Sequence, residues 1–256
     1  IRRPPRSTQG VSSAASDVYK RQDLEIDRVN RPDRPLPSGA ISETTARKAI
    51  ALMMTLSILS IVWAAVTASG LEGGIEGWYP AIAIWAGALF LLANYESAGS
   101  FSLRLKDQGL PGNIAISLSV GMVVLFGAAG VFEPFSHRAW AIFSVGVLFT
   151  LAREIVKDVE DMEGDEGRST YAMRVGPQQA RAVAWVLLLL TLAAILLSFT
   201  IGVFPEHHLI GVVPAVVLLL MVKPKLVLSE DRAAQQLIKK SMYLGLAAFL
   251  VSALLA

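Results

Sequence analysis

Two groups of aspartates are the residues of this chain best placed to do chemistry. Asp23 and Asp27 stand four apart, and Asp158, Asp161 and Asp165 follow at spacings of three and four. In a helix either spacing sets the carboxylates on one face, although Gly164 is placed to loosen or end a helix before Asp165. Carboxylates gathered this closely repel one another unless a cation lies between them. Mg²⁺ suits such a group, because it takes oxygen ligands and is commonly held by one or two carboxylates together with substrate phosphates. Taken singly, each cluster reads equally well as a solvated acidic loop in ion pairs with Arg153, Lys157 and Arg168. Taken together they are harder to explain that way, since basic residues adjoin both: Arg28, Arg31 and Arg34 beside the first, Arg153 and Lys157 beside the second. Metal ligands and fixed basic groups side by side are what a diphosphate requires.

The elements that must position these groups are apolar helices. Residues 49 to 69 carry no charge and are long enough as a helix to cross a hydrocarbon core of about 30 Å. Similar runs at 79–95, 112–132, 139–152, 182–202, 209–222 and 241–256 bring the candidate spans to seven. The runs at 139 and 209 are short enough to be re-entrant, but backbone polar groups in lipid must be satisfied internally, which favours a packed helical bundle. The expected fold class is therefore an all-α integral membrane bundle. Composition agrees: 54% of the 256 residues are hydrophobic and 17% charged, an apolar excess that a water-soluble domain would struggle to bury. With no cysteine, disulfide frameworks and thiolate metal sites are excluded.

Charge in the loops gives the spans an orientation. Arg47 and Lys48 with the arginines before them, Arg104 and Lys106, Arg153 to Arg181, and Lys223 to Lys240 alternate with poorly basic loops holding Glu72 and Glu76, Glu133, and Glu206 with His207 and His208. Basic loops face the cytoplasm, so both aspartate clusters are expected on the cytoplasmic side of a cell membrane. His207 and His208 fall on the opposite side and read as solvated loop residues; Glu96, at the end of a span, reads as an interfacial residue. Between Asp27 and the first span, Arg34-Pro35-Leu36-Pro37-Ser38-Gly39 predicts a rigid turn, because both prolines fix φ and bias the residues before them away from helix. Ser42, with Glu43 in the first turn, is the expected helix cap. Residues 1 to 22 are polar, without helical periodicity or the apolar run of a signal peptide. They resemble translated adapter sequence, and native sequence is expected to begin near Asp23.

DLEIDRVNRPDRPLPSG (23–39) resembles the first signature of the UbiA family of membrane prenyltransferases, normally Asn-Asp-x-x-Asp-x-x-x-Asp ahead of an Arg-Pro-x-Pro-Ser-Gly turn, and REIVKDVEDMEGD (153–165) resembles the second. The second is most similar to the form carried by archaeal members that build ether lipids. The resemblance covers Asp23 to Ala256 and implies nine transmembrane helices around a central prenyl-binding cavity. The seven spans here would then be a domain, 23–256, lacking the first two helices. The family's leading Asn and first Asp would fall at Tyr19 and Lys20, which are not equivalents, and Thr170-Tyr171-Ala172 stands where many relatives have Thr-Leu-Pro.

The resemblance further implies Mg²⁺ held by Asp23, Asp27, Asp158, Asp161 and Asp165, which would be the catalytic residues. Arg34, Lys106, Arg153 and Lys157 would bind the diphosphate, Lys106 by its similarity to a lysine in the same loop of relatives. The implied reaction transfers a prenyl group, geranylgeranyl in the ether-lipid branch, from a polyprenyl diphosphate to a lipid-like acceptor, geranylgeranylglyceryl phosphate. An aromatic, quinone or tetrapyrrole acceptor is the alternative within the family. Outside it, a cation-coupled transporter would place its acidic residues nearer the bilayer midplane, and the Asp-Gly and Ala-Arg series of a CDP-alcohol phosphotransferase is not found. Membrane lipid is the expected surrounding, with no nucleic acid and no obligate protein partner inferred.

Overall fold

The structure, a computed structural model, describes Leu24, Arg28 and residues 32–96, 103–162 and 169–255. Asp23, Asp27 and Asp165 lie outside the described residues. All seven expected spans are present as helical segments of 21 to 27 residues, and no strand occurs among the described residues. Six are continuous helices: α1 (Glu43–Ser69), α2 (Gly74–Glu96), α3 (Leu110–Gly130), α4 (His137–Glu160), α6 (Pro177–Thr200) and α9 (Asp231–Leu255). A short α5 (Tyr171–Val175) precedes α6. The remaining span is broken into a 3₁₀ segment (Glu206–Val212), α7 (Val213–Leu220) and α8 (Val222–Val227).

Two departures from the expected boundaries have clear causes. The run at 139–152 looked short because charge begins at Arg153, yet α4 continues to Glu160. Its last two turns carry charged side chains that pair with one another and with α3, so the helix does not need to end where the apolar run does. The run at 209–222 is broken at Met221 because Pro224 has no N–H to donate to the Leu220 carbonyl.

Chain neighbours pack in order, α1 on α2, α2 on α3 and α3 on α4, after which α4 packs against both α6 and α9, and α9 covers α7 and α8. The main apolar core therefore lies around α4, built from Phe149, Ile155, Leu188, Ile195, Leu219, Ile238 and Phe249. At one end of it Phe199, Phe204 and Phe249 gather with ring centroids 5.0 to 5.6 Å apart. At the other end of the chain order α1 buries only Ile61 and Ala68, with Ala64 and Ala65 packed beside them, and most of its other apolar side chains are exposed.

Small residues and satisfied polar groups bring the helices together, as packing within lipid demands. A Cβ at Gly121 would stand 2.6 Å from Val147 and 2.9 Å from Phe143, so α3 meets α4 at a point where only glycine fits. Trp78 donates its indole N–H to the Gly130 carbonyl on α3, and Trp85 donates to Ser57 on α1. The hydroxyls of Ser117, Thr191 and Ser198 donate to carbonyls one turn back, which satisfies each O–H within its own helix. At the start of the bundle the expected turn is present: Ser38 N–H donates to the Arg34 carbonyl and Ile41 N–H to that of Pro35, with Gly39 at φ +78°. Ser42 caps α1 by accepting from Thr45 N–H at 3.1 Å.

Candidate active site

The second aspartate cluster occupies the C-terminal end of α4. Asp158 lies in the last turn and Asp161 is the C-cap, its N–H bonded to the Lys157 carbonyl. The helix thus ends ahead of Gly164, and Asp165 lies outside the described residues. Carboxylates at a helix C-terminus oppose the macrodipole, each by about 0.3–1 kcal/mol when exposed, and they repel one another. The local sequence therefore favours stopping the helix here and favours a cation beside it.

Helical geometry groups the charged residues. At 3.6 residues per turn, Arg153, Glu154, Lys157, Asp158 and Asp161 fall within about 140° of the circumference of α4. Phe149, Ala152, Ile155, Val156 and Val159, all in the buried core, occupy the opposite side. One face of α4 thus packs into the bundle core and the other carries the charged residues.

Asp158 is held from across the α3–α4 interface. The buried Asn113 donates from Nδ2 to Asp158 Oδ2 at 2.9 Å. A carboxylate so oriented has one oxygen direction set before any ligand arrives. One turn deeper along α4, the Glu154 carboxylate accepts from Arg153 at 2.7 Å and from Lys157 at 3.2 Å. The two basic residues expected at the diphosphate are therefore ordered on the same face as the aspartates.

Lys106 reaches this neighbourhood by another route. It sits in a 3₁₀ turn (Leu105–Asp107) lying against the N-terminus of α3, so closely that a Cβ at Gly112 would overlap the Leu105 carbonyl and stand 3.3 Å from Lys106 Cα. The next residue is Asn113. Arg174 of α5 donates to the Asp107 carbonyl at 3.4 Å and to Ser169 at 2.8 Å, joining the Lys106 turn to the segment that follows the second cluster. Thr170 caps α5 through Met173 N–H. Arg34 occupies the exposed turn ahead of α1, which packs on α2.

Among the described residues no three His, Cys, Asp or Glu side chains converge as a complete metal site. The donors present, the Asp158 and Asp161 carboxylates, fit a hard divalent cation that takes the rest of its oxygen ligands from phosphate and water. Asp23, Asp27 and Asp165 would have to come from segments outside the described residues.

Sequence reasoning passed over Glu154 and Asn113. Glu154 stands four residues before Asp158 and so shares its face, a spacing visible within the motif; Asn113 is a lone amide at the start of an apolar run, which marks a polar task in a membrane helix. It also missed the bidentate pair of Arg181 with Asp231, at 2.8 and 2.6 Å and largely buried, which ties α6 to α9. That pair borders a cavity of about 650 Å³ with Val159, Glu160 and Glu230, on the flank of α4 turned away from Asp158. His208, expected to be solvated, is instead half-buried with Nδ1 2.8 Å from Ser252 Oγ, near the C-terminal end of α9.

The chain as a whole is similar to known proteins in sequence and fold. Curated digeranylgeranylglyceryl phosphate synthases are similar throughout: that of Halobacterium salinarum is 33% identical over 94% of this chain and 79% of its own length. That of Methanopyrus kandleri is 35% identical over 94% and 82%. A solved structure from work on digeranylgeranylglyceryl phosphate synthase in membranes superposes with a TM-score of 0.62 at 28% identity, covering 92% of this chain and 78% of that one. The profile of the UbiA prenyltransferase family matches residues 20–252. With its all-helical bundle and its charged face at the end of α4, the chain belongs to the UbiA prenyltransferase family and is a membrane prenyltransferase.

Proposed function

We propose that this enzyme transfers a geranylgeranyl group from geranylgeranyl diphosphate to the free hydroxyl of geranylgeranylglyceryl phosphate, a step of archaeal ether-lipid synthesis, with Mg²⁺ as the metal and the site facing the cytoplasm. The observation that carries the reading is the single face of α4 on which Asp158 and Asp161 end the helix and Arg153 and Lys157 follow one turn deeper. Similarity to synthases of that name supports the choice of donor and acceptor.

In this reading Asp158 and Asp161, with Asp23, Asp27 and Asp165, hold the metal, and Asn113 keeps Asp158 in position. Mg²⁺, when bound, would offset charge on the diphosphate as it leaves. Arg153 and Lys157, with Lys106 and Arg34, supply fixed positive charge to the same group, a contribution that is large where water is excluded. The C1–O bond of the donor breaks, C1 joins the acceptor oxygen, and the hydroxyl proton is released. The apolar helices solvate the prenyl chain and keep water from the allylic cation.

The test is reconstitution in vesicles with radiolabelled geranylgeranyl diphosphate and three competing acceptors: geranylgeranylglyceryl phosphate, an aromatic acid and a quinone precursor. The doubly prenylated glycerol phosphate is the expected product. Label appearing only in an aromatic product would replace the acceptor assignment.

A further inference from the structure

We infer that Glu154 is a positioning residue that holds Arg153 and Lys157 as a paired clamp for the diphosphate, an inference resting on the diphosphate reading above. Arg153 and Lys157 are four residues apart on one helix, where like charges repel. Unaided, two long flexible side chains in that arrangement would swing apart and towards water. Glu154 prevents this by using one oxygen on each, Oε1 on Arg153 at 2.7 Å and Oε2 on Lys157 at 3.2 Å.

Burial makes the arrangement more than a surface ion pair. Glu154 is 8% exposed, and the Arg153 and Lys157 side chains are 26% and 29% exposed. The trio carries a net charge of +1 in a largely apolar setting, which favours an anion beside it. Arg153 Nε is buried and has no hydrogen-bond partner among the described residues. A buried donor is costly to leave without an acceptor, and an oxygen of a bound diphosphate would supply one. Glu154 also lies one turn from Asp158 on the same face, so the clamp sits next to the proposed metal ligands.

A double-mutant cycle on binding tests this without turnover. The probes are inorganic diphosphate with Mg²⁺, a non-hydrolysable geranylgeranyl thiolodiphosphate with Mg²⁺, and geranylgeraniol, measured on the full chain in nanodiscs. Glu154→Gln is expected to weaken both diphosphate probes by about tenfold, within the range of coupling between contacting residues, and to leave geranylgeraniol binding unchanged. Added to the Arg153→Ala/Lys157→Ala variant it should cost nothing further. Glu154→Asp, which keeps the charge but has a shorter reach, should restore part of the loss, and it carries the same cycle if the Gln variant does not fold.

If Arg153→Ala and Lys157→Ala each weaken the diphosphate probes while Glu154→Gln does not, the positioning role is wrong and the diphosphate reading stands. An undiminished Glu154→Gln loss in the background lacking both cations overturns it too. If neither cation variant affects diphosphate binding, the diphosphate reading fails, and the clamp with it.

Discussion

Asn113 Nδ2 donates to Asp158 Oδ2 at 2.9 Å across the α3–α4 interface. Both residues start from helix ends, the first turn of α3 and the last turn of α4, so the bond joins the two helices at the mouth of the site. A charge-assisted bond of this kind is worth about 1.5–3 kcal/mol. Its larger consequence is directional, since it sets one carboxylate oxygen before a metal or substrate arrives.

Asn113→Ala should therefore act on metal affinity more than on folding. Orienting partners of metal ligands typically account for about 10–100-fold in affinity. The Mg²⁺ concentration giving half-maximal transfer should rise by about tenfold, with Mn²⁺ binding followed by electron paramagnetic resonance shifting in parallel. An unchanged metal titration with an unchanged rate would remove Asn113 from the site.

Asp158→Ala combined with Asp161→Ala should abolish transfer at any Mg²⁺ concentration. The thermal unfolding temperature should fall modestly, because losing the bond from Asn113, worth about 1.5–3 kcal/mol, outweighs the relief of two carboxylates that oppose the α4 dipole by about 0.3–1 kcal/mol each. Measured turnover in the double variant would sink the metal role of this cluster.

Gly112→Ala tests the placement of Lys106. The added Cβ would overlap the Leu105 carbonyl and stand 2.9 Å from its carbon, and backbone on both sides leaves no side chain to give way. The 3₁₀ turn must move, and the KM for the prenyl diphosphate should rise several-fold while the KM for the acceptor holds. Lys106→Ala should reproduce that selective effect without the clash.

Arg181→Met should be among the more destabilising single changes, since it leaves Asp231 without its buried partner. Breaking a fully buried pair from one side costs about 3–5 kcal/mol, and this partly exposed pair at the edge of a cavity should cost less. Replacing both partners, Arg181→Met with Asp231→Leu, should recover most of the loss. Unfolding in detergent followed by circular dichroism would show it; a double variant as unstable as the single would mean that the pair does more than satisfy itself.

How much of this was legible in the sequence depends on whether the signal was local. The seven spans, the Arg34–Gly39 turn, the Ser42 cap and the helical face shared by Asp158 and Asp161 all follow from residues within a few positions of one another, and each appears as expected. The apolar run at 139–152 understates α4 because such a run measures what lipid can solvate, whereas Arg153, Glu154, Lys157 and Asp158 are paired with each other and with Asn113. The break at Met221 follows from Pro224, which lies just beyond the apolar run at 209–222 and was not weighed with it. His208 was misplaced because Ser252, its partner, is 44 residues away.

The sequence by itself determined a membrane helical bundle with two aspartate clusters beside basic residues, because hydropathy and spacing are properties of contiguous residues; the prenyltransferase reading came from the resemblance of those two segments to the family's signatures. The tertiary structure decided which groups work together. Asn113 meets Asp158 across 45 positions and Arg181 meets Asp231 across 50, and Gly112 and Gly121 act only through the elements pressed against them. Those relationships depend on how one helix sits on another, which close packing sets and which no local pattern records.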